Sequence, residues 1–550
     1  MDIRGLFDRM RSMRIIVVFL MLVLAYGTVS YSPQAATPQK LYSVGLGGVT
    51  GATNNTVLAF GRFVLIAPFW PSKGVADNGE LDLTQLDNCF IYAVDTKKPD
   101  SEPVRKELSA FLAKEGKQTV YFPTKLAFDP DSGNVYVRGT RFQETTGEVT
   151  AVDVIAYAHI DLEDGKLVFD SDVVKIDIEG VSSKTTGEAP LDLAFSANGG
   201  VVVFTNGASI FSYRLDQGYL YEAQIVHPSQ YGADDRISFL DVDQATNIVT
   251  VCENRKSVDK NNVVTFSSEV SFYKLGVQGT FDKLRRAFAD QLLDGKALAN
   301  GSNVAIVSDA DSDFALFATN DGSLCAVDLG SDEVRLTVKT LYTFPDLASV
   351  EGSGQSPLFV QYDSSKRVIG IVKPGVTIQI SRPTNGRRAR ISRPTNILST
   401  HPGLAMAKLG KRNRVTSVAT FNEEFKGEGG LTNFVSVQDS EWLISTYSGK
   451  FYSVGVASDV QESRLELIGS IGSPVDRLDY YADGASVVAI SPFMLEEDGI
   501  RMATPGSLLV GNVPDILSKS RKAIVQALLP NASLLGRSAP SIRRPCNIKR

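Results

Sequence analysis

The chain repeats one pattern of short apolar strands separated by turn residues, and this repetition restricts the fold more than any other feature. The copy at Lys125–Gly139 reads KLAFDPDSGNVYVRG, which is an apolar strand, an Asp-Pro-Asp-Ser-Gly turn and a second strand. The copy at Leu191–Leu215 adds an Asn-Gly turn and a third strand. Alternating apolar and polar residues are typical of strands, and Asp, Asn and Gly supply the turns between them.

Further copies follow at intervals of about 43 to 76 residues, a spacing that suits four-stranded units with loop insertions. They begin at Phe239, Asn303, Leu358, Phe434 and Arg477, and a less regular copy spans Thr56–Phe69 with a third strand at Cys89–Asp95. One such unit cannot bury its own faces, whereas seven or eight units closed into a ring can. The sequence therefore predicts an all-β fold, a β-propeller of seven four-stranded blades, with eight as the alternative.

Two of these copies resemble the strand-turn-strand signatures of a known group of propellers. LAFDPDSGNVYV (Leu126–Val137) and DLAFSANGGVVVFTNGASIFSYRL (Asp192–Leu215) are similar to blades of the NHL, YVTN and strictosidine-synthase/gluconolactonase-like families. The resemblance implies a fold more than an activity. Gluconolactonase-like propellers hold one divalent metal in the central tunnel, so the resemblance implies a metal-dependent lactonase or related hydrolase as an alternative function.

Helical spacing of apolar residues predicts short helical insertions that pack on the propeller. One stripe comprises Val104, Leu108, Phe111 and Leu112, a second comprises Phe281, Leu284, Phe288 and Leu292, and a third lies in Pro514–Leu529. The third follows the last repeat. The predicted organisation is thus an N-terminal segment at 1–30, a propeller at 31–513, and a C-terminal helix with a basic tail at 514–550.

The N-terminus is typical of a targeting segment. Four arginines between Arg4 and Arg14 precede the apolar run Ile15–Tyr26, which fits a signal peptide but is shorter than the ~20 residues of a membrane-spanning helix. The prediction is a secreted protein or one of the secretory pathway, cleaved near Ser30. The alternative is an uncleaved anchor at residues 15–29, which is also the predicted route to a membrane.

Export determines how the cysteines and asparagines are interpreted. The four cysteines show no C-x-x-C spacing, which argues against zinc and thioredoxin-like sites, and three disulfide pairings remain open. Asn54, Asn300 and Asn531 stand in N-x-S/T sequences that a eukaryotic secretory pathway would glycosylate.

The sequence offers little catalytic chemistry. The chain has three histidines in different repeats and lacks the G-x-S-x-G, H-E-x-x-H and P-loop motifs. The most metal-like string contains Asp309, Asp311 and Asp313, whose alternating carboxylates resemble the start of a calcium loop. Phe314 replaces the glycine of such loops and no acidic residue closes it, so a solvated turn is favoured; no cofactor is predicted, and Ca²⁺ is the alternative.

One basic region stands out in a chain of net charge −6. Twelve Lys and Arg residues and no acidic residue lie between Asp363 and Glu423, and the hexapeptide ISRPTN occurs there twice, at 380–385 and 391–396. A tandem duplication of this length is tolerated in an exposed loop and not within a strand. The predicted binding residues are Arg382, Arg387, Arg388, Arg390 and Arg393.

Arginine clusters attract sulfated glycans, anionic lipid or acidic protein faces. The predicted partner is therefore a protein or an anionic glycan or lipid surface. Nucleic acid is not expected, because the chain is exported and aromatic residues do not alternate with the basic ones. The leading prediction is an exported, non-catalytic binding scaffold.

The favoured interpretation of the three aspartates as a solvated turn is tested by a thermal melt of the mature chain. A ligand that binds only the native state raises the apparent stability, so a solvated turn predicts the same Tm in EDTA and in calcium. A Tm that EDTA lowers and calcium restores would contradict it and would direct attention to a metal-dependent activity.

Overall fold

The structure, a computed structural model, describes residues between 42 and 511, with gaps of which the longest are 67–89, 178–194 and 380–394. Its contacts divide the chain into Met1–Lys40 and Leu41–Arg550, and every described residue belongs to the second unit. The described residues form strands and a few single 3-10 turns. The predicted all-β class is confirmed.

Most strands belong to eight antiparallel sheets, numbered here in chain order. Sheet 1 holds β2 (Val57–Phe60), β3 (Phe63–Ile66), β4 (Phe90–Asp95) and β5 (Val104–Glu107). Sheet 2 holds β6 (Thr119–Asp129), β7 (Asn134–Thr145), β8 (Glu148–Glu163), β9 (Lys166–Phe169) and β10 (Val174–Asp177). Sheet 3 holds β11 (Phe195–Asn198), β12 (Val201–Thr205), β13 (Ile210–Asp216) and β14 (Tyr219–Val226). Sheet 4 holds β15 (Arg236–Asp243), β16 (Ile248–Val258), β17 (Val264–Leu275) and β18 (Phe281–Ala287), with β22 (Arg335–Leu336) added in parallel.

The second half of the chain continues in the same way. Sheet 5 holds β19 (Val304–Asp309), β20 (Ser312–Ala318), β21 (Ser323–Asp328) and β23 (Val338–Thr343). Sheet 6 holds β24 (Phe359–Asp363), β25 (Val368–Lys373), β28 (Gly403–Leu409) and β29 (Val415–Thr420). Sheet 7 holds β30 (Leu431–Val437), β31 (Glu441–Thr446), β32 (Lys450–Gly455) and β33 (Arg464–Ser470). Sheet 8 holds β34 (Val475–Tyr480), β35 (Ser486–Ile490), β38 (Ser507–Gly511) and β1 (Tyr42–Gly45).

Two further hairpins interrupt sheets 6 and 8. One pairs β26 (Val376–Gln379) with β27 (Thr395–Leu398), and the other pairs β36 (Phe493–Glu496) with β37 (Gly499–Met502). The predicted β-propeller fold is confirmed. Among the described strands there are eight sheets of four or five strands, which is the alternative count given by the sequence.

The first and last strands close the ring. β1 pairs antiparallel with β38, so the N-terminal end of the described chain supplies the fourth strand of sheet 8. The first strand of sheet 1, β2, lies beside the first strand of sheet 8, β34. Closure of this kind leaves neither end sheet with an uncovered face.

The core lies between neighbouring sheets, and successive residues of a central strand pack against opposite neighbours. In β20, Phe314 packs in the cluster between sheets 5 and 6, whereas Phe317 packs in the cluster between sheets 4 and 5. In β25 all six residues, VIGIVK, are buried. A strand with both faces covered is apolar throughout instead of alternating.

Buried cysteine and tryptophan side chains belong to this core. Cys252 and Cys325 are buried in the cluster between sheets 4 and 5, while Cys89 and Cys546 fall in parts of the chain whose side chains the structure does not describe. Trp442 is fully buried and packs edge-on against Phe434 with ring centroids 5.1 Å apart.

Aspartate turns join the first and second strands of several sheets, as the sequence predicts. The carboxylate accepts a hydrogen bond from a residue three positions later, and the turn ends with a residue of positive φ. The bonds are Ser132 Oγ to Asp129 (2.6 Å), Thr246 N to Asp243 (2.7 Å) and Lys366 N to Asp363 (3.0 Å). The residues of positive φ are Gly133, Asn247 and Arg367.

Two of the predicted helical insertions are wrong where the structure describes them. Val104 begins β5, and Phe281 and Leu284 lie in β18. Both strands are the fourth of their sheet, where a ladder with the third strand satisfies the backbone. Phe281 also packs against Tyr273 of β17, with ring centroids 5.6 Å apart. Leu108, Phe111, Leu112, Phe288, Leu292 and Pro514–Leu529 lie outside the described residues.

Sheet packing predicts that Gly370→Ala destabilises the protein. A Cβ at Gly370 of β25 would lie 2.6 Å from both Phe434 and Trp442 of sheet 7. Overpacking a close-packed core costs about 1–3 kcal/mol, so the midpoint of thermal or denaturant unfolding should fall. Gly455→Ala is the matched control, since a Cβ there meets nothing within 4 Å. Equal effects of the two substitutions would contradict the packing described here.

Candidate binding face

The connections between strands differ sharply in length at the two ends of the sheets. In an antiparallel sheet, the turns from first to second and from third to fourth strand lie at one end, and the remaining connections lie at the other. The first-to-second turns between the described strands span only two to five residues. Every connection longer than ten residues, such as 67–89, 178–194 and 374–402, leaves from the opposite end. We call this end of the ring the binding face.

Two inserted hairpins extend from the binding face. The β26–β27 hairpin lies between β25 and β28, and the β36–β37 hairpin lies between β35 and β38. Sheet 7 stands between these two sheets, and a short turn, 447–449, joins its second and third strands at this end. β27 lies beside β37, so the two hairpins meet.

The β26–β27 hairpin, whose strands flank the arginine loop along the chain, belongs to the binding face. Arg382, Arg387, Arg388, Arg390 and Arg393 all lie between β26 and β27, in the segment 380–394 that is outside the described residues. The loop therefore joins the free ends of a hairpin, and the second ISRPTN copy runs into β27 at Thr395. Their role as binding residues stays a prediction.

The aspartate string lies at the other end of the ring. Asp309 ends β19 and pairs with Ser312, the first residue of β20, so this end of the hairpin joins a first and a second strand. Asp311 lies outside the described residues. Asp313 follows in β20 and is exposed. The topology thus places Asp309 and Asp313 at the opposite end of the sheets from the β26–β27 hairpin. Metal binding by the string stays a prediction.

The β26–β27 hairpin, which flanks the arginine loop, begins at a buried junction with β25. We call this junction, Lys373 to Gly375, the root of the hairpin. Lys373, the last residue of β25, is only 2% exposed, and its Nζ donates to the Ala348 carbonyl at 2.7 Å. Burial lowers the pKa of Lys373, although the charge of Asp346 opposes this shift. Next to it, the Pro374 carbonyl accepts from the Leu431 backbone N–H at 2.8 Å. The root is therefore joined to the connections that enter sheets 6 and 7.

A buried carboxylate lies close to this root. Glu428, in the connection that enters sheet 7, is 5% exposed. Its carboxylate accepts from Ser448 Oγ (2.6 Å) and Tyr452 OH (3.0 Å) and forms a salt bridge with Lys450. These donors come from the turn and the first residues of β32, so the carboxylate binds the incoming connection to the short turn of sheet 7.

The protonation of this cluster follows from its contacts. Burial alone would raise the pKa of Glu428, but the hydrogen bonds from Lys450, Ser448 and Tyr452 and the charge of Lys450 outweigh burial, and the pKa is lowered. Burial and the neighbouring carboxylate raise the pKa of Tyr452 to about 12. The cluster is therefore a carboxylate held by three donors.

A threonine turn recurs at this end of the sheets and was missed by sequence reasoning. In three sheets a fully buried threonine ends or directly follows the second strand, and its hydroxyl donates to the carbonyl four residues later. These pairs are Thr205 with Ser209 (2.7 Å), Thr319 with Ser323 (3.3 Å) and Thr446 with Lys450 (3.3 Å). The strings TNGAS, TNDGS and TYSGK carry the signal in the sequence. Glu428 and Lys373 had no comparable signal, because their partners are far away along the chain.

A buried arginine links two sheets at the same level. Arg138 of β7 is 1% exposed, and its Nη1 donates to the Thr205 carbonyl at 2.8 Å. Its guanidinium lies 5.6 Å from the ring centroid of Phe204. The cation thereby attaches sheet 2 to the threonine turn of sheet 3.

The described residues contain neither a metal-binding cluster nor a membrane-spanning helix. Among them, no group of three or more His, Cys, Asp and Glu side chains is placed to hold a metal ion. No helix in the described part of the chain has the length and hydrophobicity needed to cross a membrane. The predicted targeting segment and the sequons Asn54, Asn300 and Asn531 lie outside this part.

Comparison with known proteins gives only distant similarities. No protein family model and no curated protein matches the chain. A candidate 6-phosphogluconolactonase from Bacteroides uniformis is similar at 12% identity, over 69% of this chain and 90% of the other, with a TM-score of 0.34. The WD40 repeats of RRP9 are similar at 10% identity, over 70% and 93%, with a TM-score of 0.34. A sialidase from Trypanosoma rangeli is similar at 8% identity, over 90% and 59%, with a TM-score of 0.36. With scores this low, the fold assignment depends on the sheet topology of the chain itself.

The lowered pKa of Glu428 predicts a pH-dependent contribution to stability. A carboxyl group whose pKa is lower in the folded state than in the unfolded state stabilises the folded protein. This contribution is complete at pH values above the unfolded pKa, usually 4.5, and it is lost as the pH falls through the lower pKa of the folded state. Glu428→Gln should therefore lower the Tm by roughly 1–3 °C at pH 7. The difference from the wild type should shrink below a pH of about 4.5. A difference that stays constant down to pH 3 would contradict the ionised cluster.

Proposed function

We propose that the protein is an exported, non-catalytic binding scaffold that contacts an anionic macromolecular surface through its binding face. The observation that carries this proposal is the placement of all connections longer than ten residues at one end of the ring. Binding residues are commonly found on loops that a rigid scaffold positions. At the other end, the first-to-second turns between the described strands span two to five residues and the third-to-fourth connections span ten residues or fewer.

The arginine loop supplies the chemistry of recognition. Five arginines within twelve residues, Arg382 to Arg393, are joined to the scaffold by a two-stranded hairpin with a buried root. Guanidinium groups bind sulfate, phosphate and carboxylate groups with two parallel hydrogen bonds. The partner class is therefore a surface rich in such groups: a sulfated glycan, anionic lipid or an acidic protein.

A quadruple substitution of Arg387, Arg388, Arg390 and Arg393 by serine tests the proposal. At an anionic lipid surface each basic residue contributes about 1 kcal/mol, so four removals should weaken binding to phosphatidylserine vesicles by several hundredfold. Retention on immobilised heparin should fall as well, and the residual binding should depend less on salt. Heparin and vesicles are assayed in parallel, because the probe that binds the wild-type chain more tightly identifies the kind of surface.

The matched control removes the same charge from the opposite end and the outer edges of the ring. Lys339, Lys411, Arg414 and Arg464 are exposed, and they lie on outer strands or on third-to-fourth connections. Their replacement by serine should leave retention close to that of the wild type. Equal losses in both quadruple variants, or no loss in the arginine-loop variant, would contradict binding through this face.

A further inference from the structure

We propose that Glu428 is a positioning residue that fixes the root of the β26–β27 hairpin, and with it the direction in which the hairpin leaves sheet 6. The inference deepens the proposed function, on which its meaning for binding rests. The geometry that supports it is formed entirely by described residues.

The connection that carries Glu428 is held on its sheet 7 side. Phe425 is fully buried and contacts Tyr452 edge-on, with ring centroids 5.2 Å apart. The Glu428 backbone N–H donates to the Phe425 carbonyl at 3.2 Å. The Glu428 carboxylate then binds Ser448, Lys450 and Tyr452. The side chains of Phe425 and Glu428 thus attach this connection to β32 and to the turn before it, and the backbone hydrogen bond holds the two residues together within the connection.

Three residues after Glu428, the same connection forms a hydrogen bond with the residue that precedes the hairpin. The Leu431 N–H donates to the Pro374 carbonyl, and Leu431 itself begins β30. Between Glu428 and Leu431, Gly430 has a φ of 136°, which is in a region that favours glycine. Only Pro374 and Gly375 separate β25 from β26, so a displacement of Leu431 reaches the first residue of the hairpin almost directly.

Burial explains why the Glu428 carboxylate keeps its position. A buried carboxylate that loses its donors carries a large desolvation penalty, so Glu428 stays where its three partners are. Replacing Glu by Gln keeps the shape but removes the charge that Lys450 pairs with. The connection should then open more often at its attachment to sheet 7, and the root of the hairpin should open with it.

Hydrogen exchange in the mature full-length chain tests this inference without any ligand. In Glu428→Gln, amide exchange in peptides covering 374–379 and 395–398 should rise about tenfold, because local opening sets the exchange rate. Tyr452→Phe removes one of the three donors and should give a smaller rise in the same peptides. Peptides from sheets 2 and 3 should exchange as in the wild type.

Glu441→Gln is the matched control. Glu441 accepts from Ser453 at the opposite end of the same sheet, so its loss removes a carboxylate hydrogen bond far from the hairpin root. Exchange at 374–379 should not change in this variant. A rise of the same size in Glu441→Gln, or no rise in Glu428→Gln, would overturn the positioning role. If Glu428→Gln does not fold, Tyr452→Phe decides the outcome by the same comparison.

Heparin retention of the same variants separates this inference from the proposed function. Suppose that exchange at the root rises in Glu428→Gln, but the wild-type protein binds neither heparin nor anionic vesicles. This result would support the positioning role of Glu428 and contradict the proposed function. Loss of binding in the arginine-loop variant, together with unchanged exchange in Glu428→Gln, would support the function and overturn the positioning role. If both hold, Glu428→Gln should lower retention about threefold without changing its dependence on salt, because the number of charges in contact is unchanged.

Discussion

The rest of the structure depends on the pairing of β1 with β38. Each four-stranded sheet has two apolar faces, as the fully buried strand β25 shows, and no sheet can cover both by itself. Sheets 2 to 7 have a neighbour on either side along the chain, but sheets 1 and 8 gain one only if the ring closes. A fourth strand contributed from the other end of the chain joins the two ends through main-chain hydrogen bonds.

Closure also gives the ring two unlike ends. Aspartate turns at one end are short and satisfy their own hydrogen bonds, whereas the other end carries the β26–β27 and β36–β37 hairpins and the connections longer than ten residues. At this second end, buried polar groups such as Lys373 and Glu428 attach insertions to neighbouring sheets. The scaffold can therefore vary its insertions and keep its core, which is the arrangement expected of a binding protein.

Much of the fold could be predicted from the sequence because its signals are local. Strand alternation and Asp-containing turns at Asp129 and Asp363 appear directly in the chain. Phe281 and Leu284 were misassigned, since a spacing of three residues fits a helix and the ladder with β17 is visible only in the structure. Likewise, the partners of Glu428 lie about twenty residues away along the chain, so no local pattern could indicate the cluster. The position of the arginine loop on a hairpin also needed the topology.

The most direct test of the account is hydrogen exchange of the wild-type chain with and without a saturating heparin fragment. The account predicts slower exchange in peptides covering 374–402 and in neighbouring connections of the binding face, with no change in the first-to-second turns such as 130–133 and 364–367. Protection at those turns or along the outer strands β14 and β33, with none at 374–402, would contradict it.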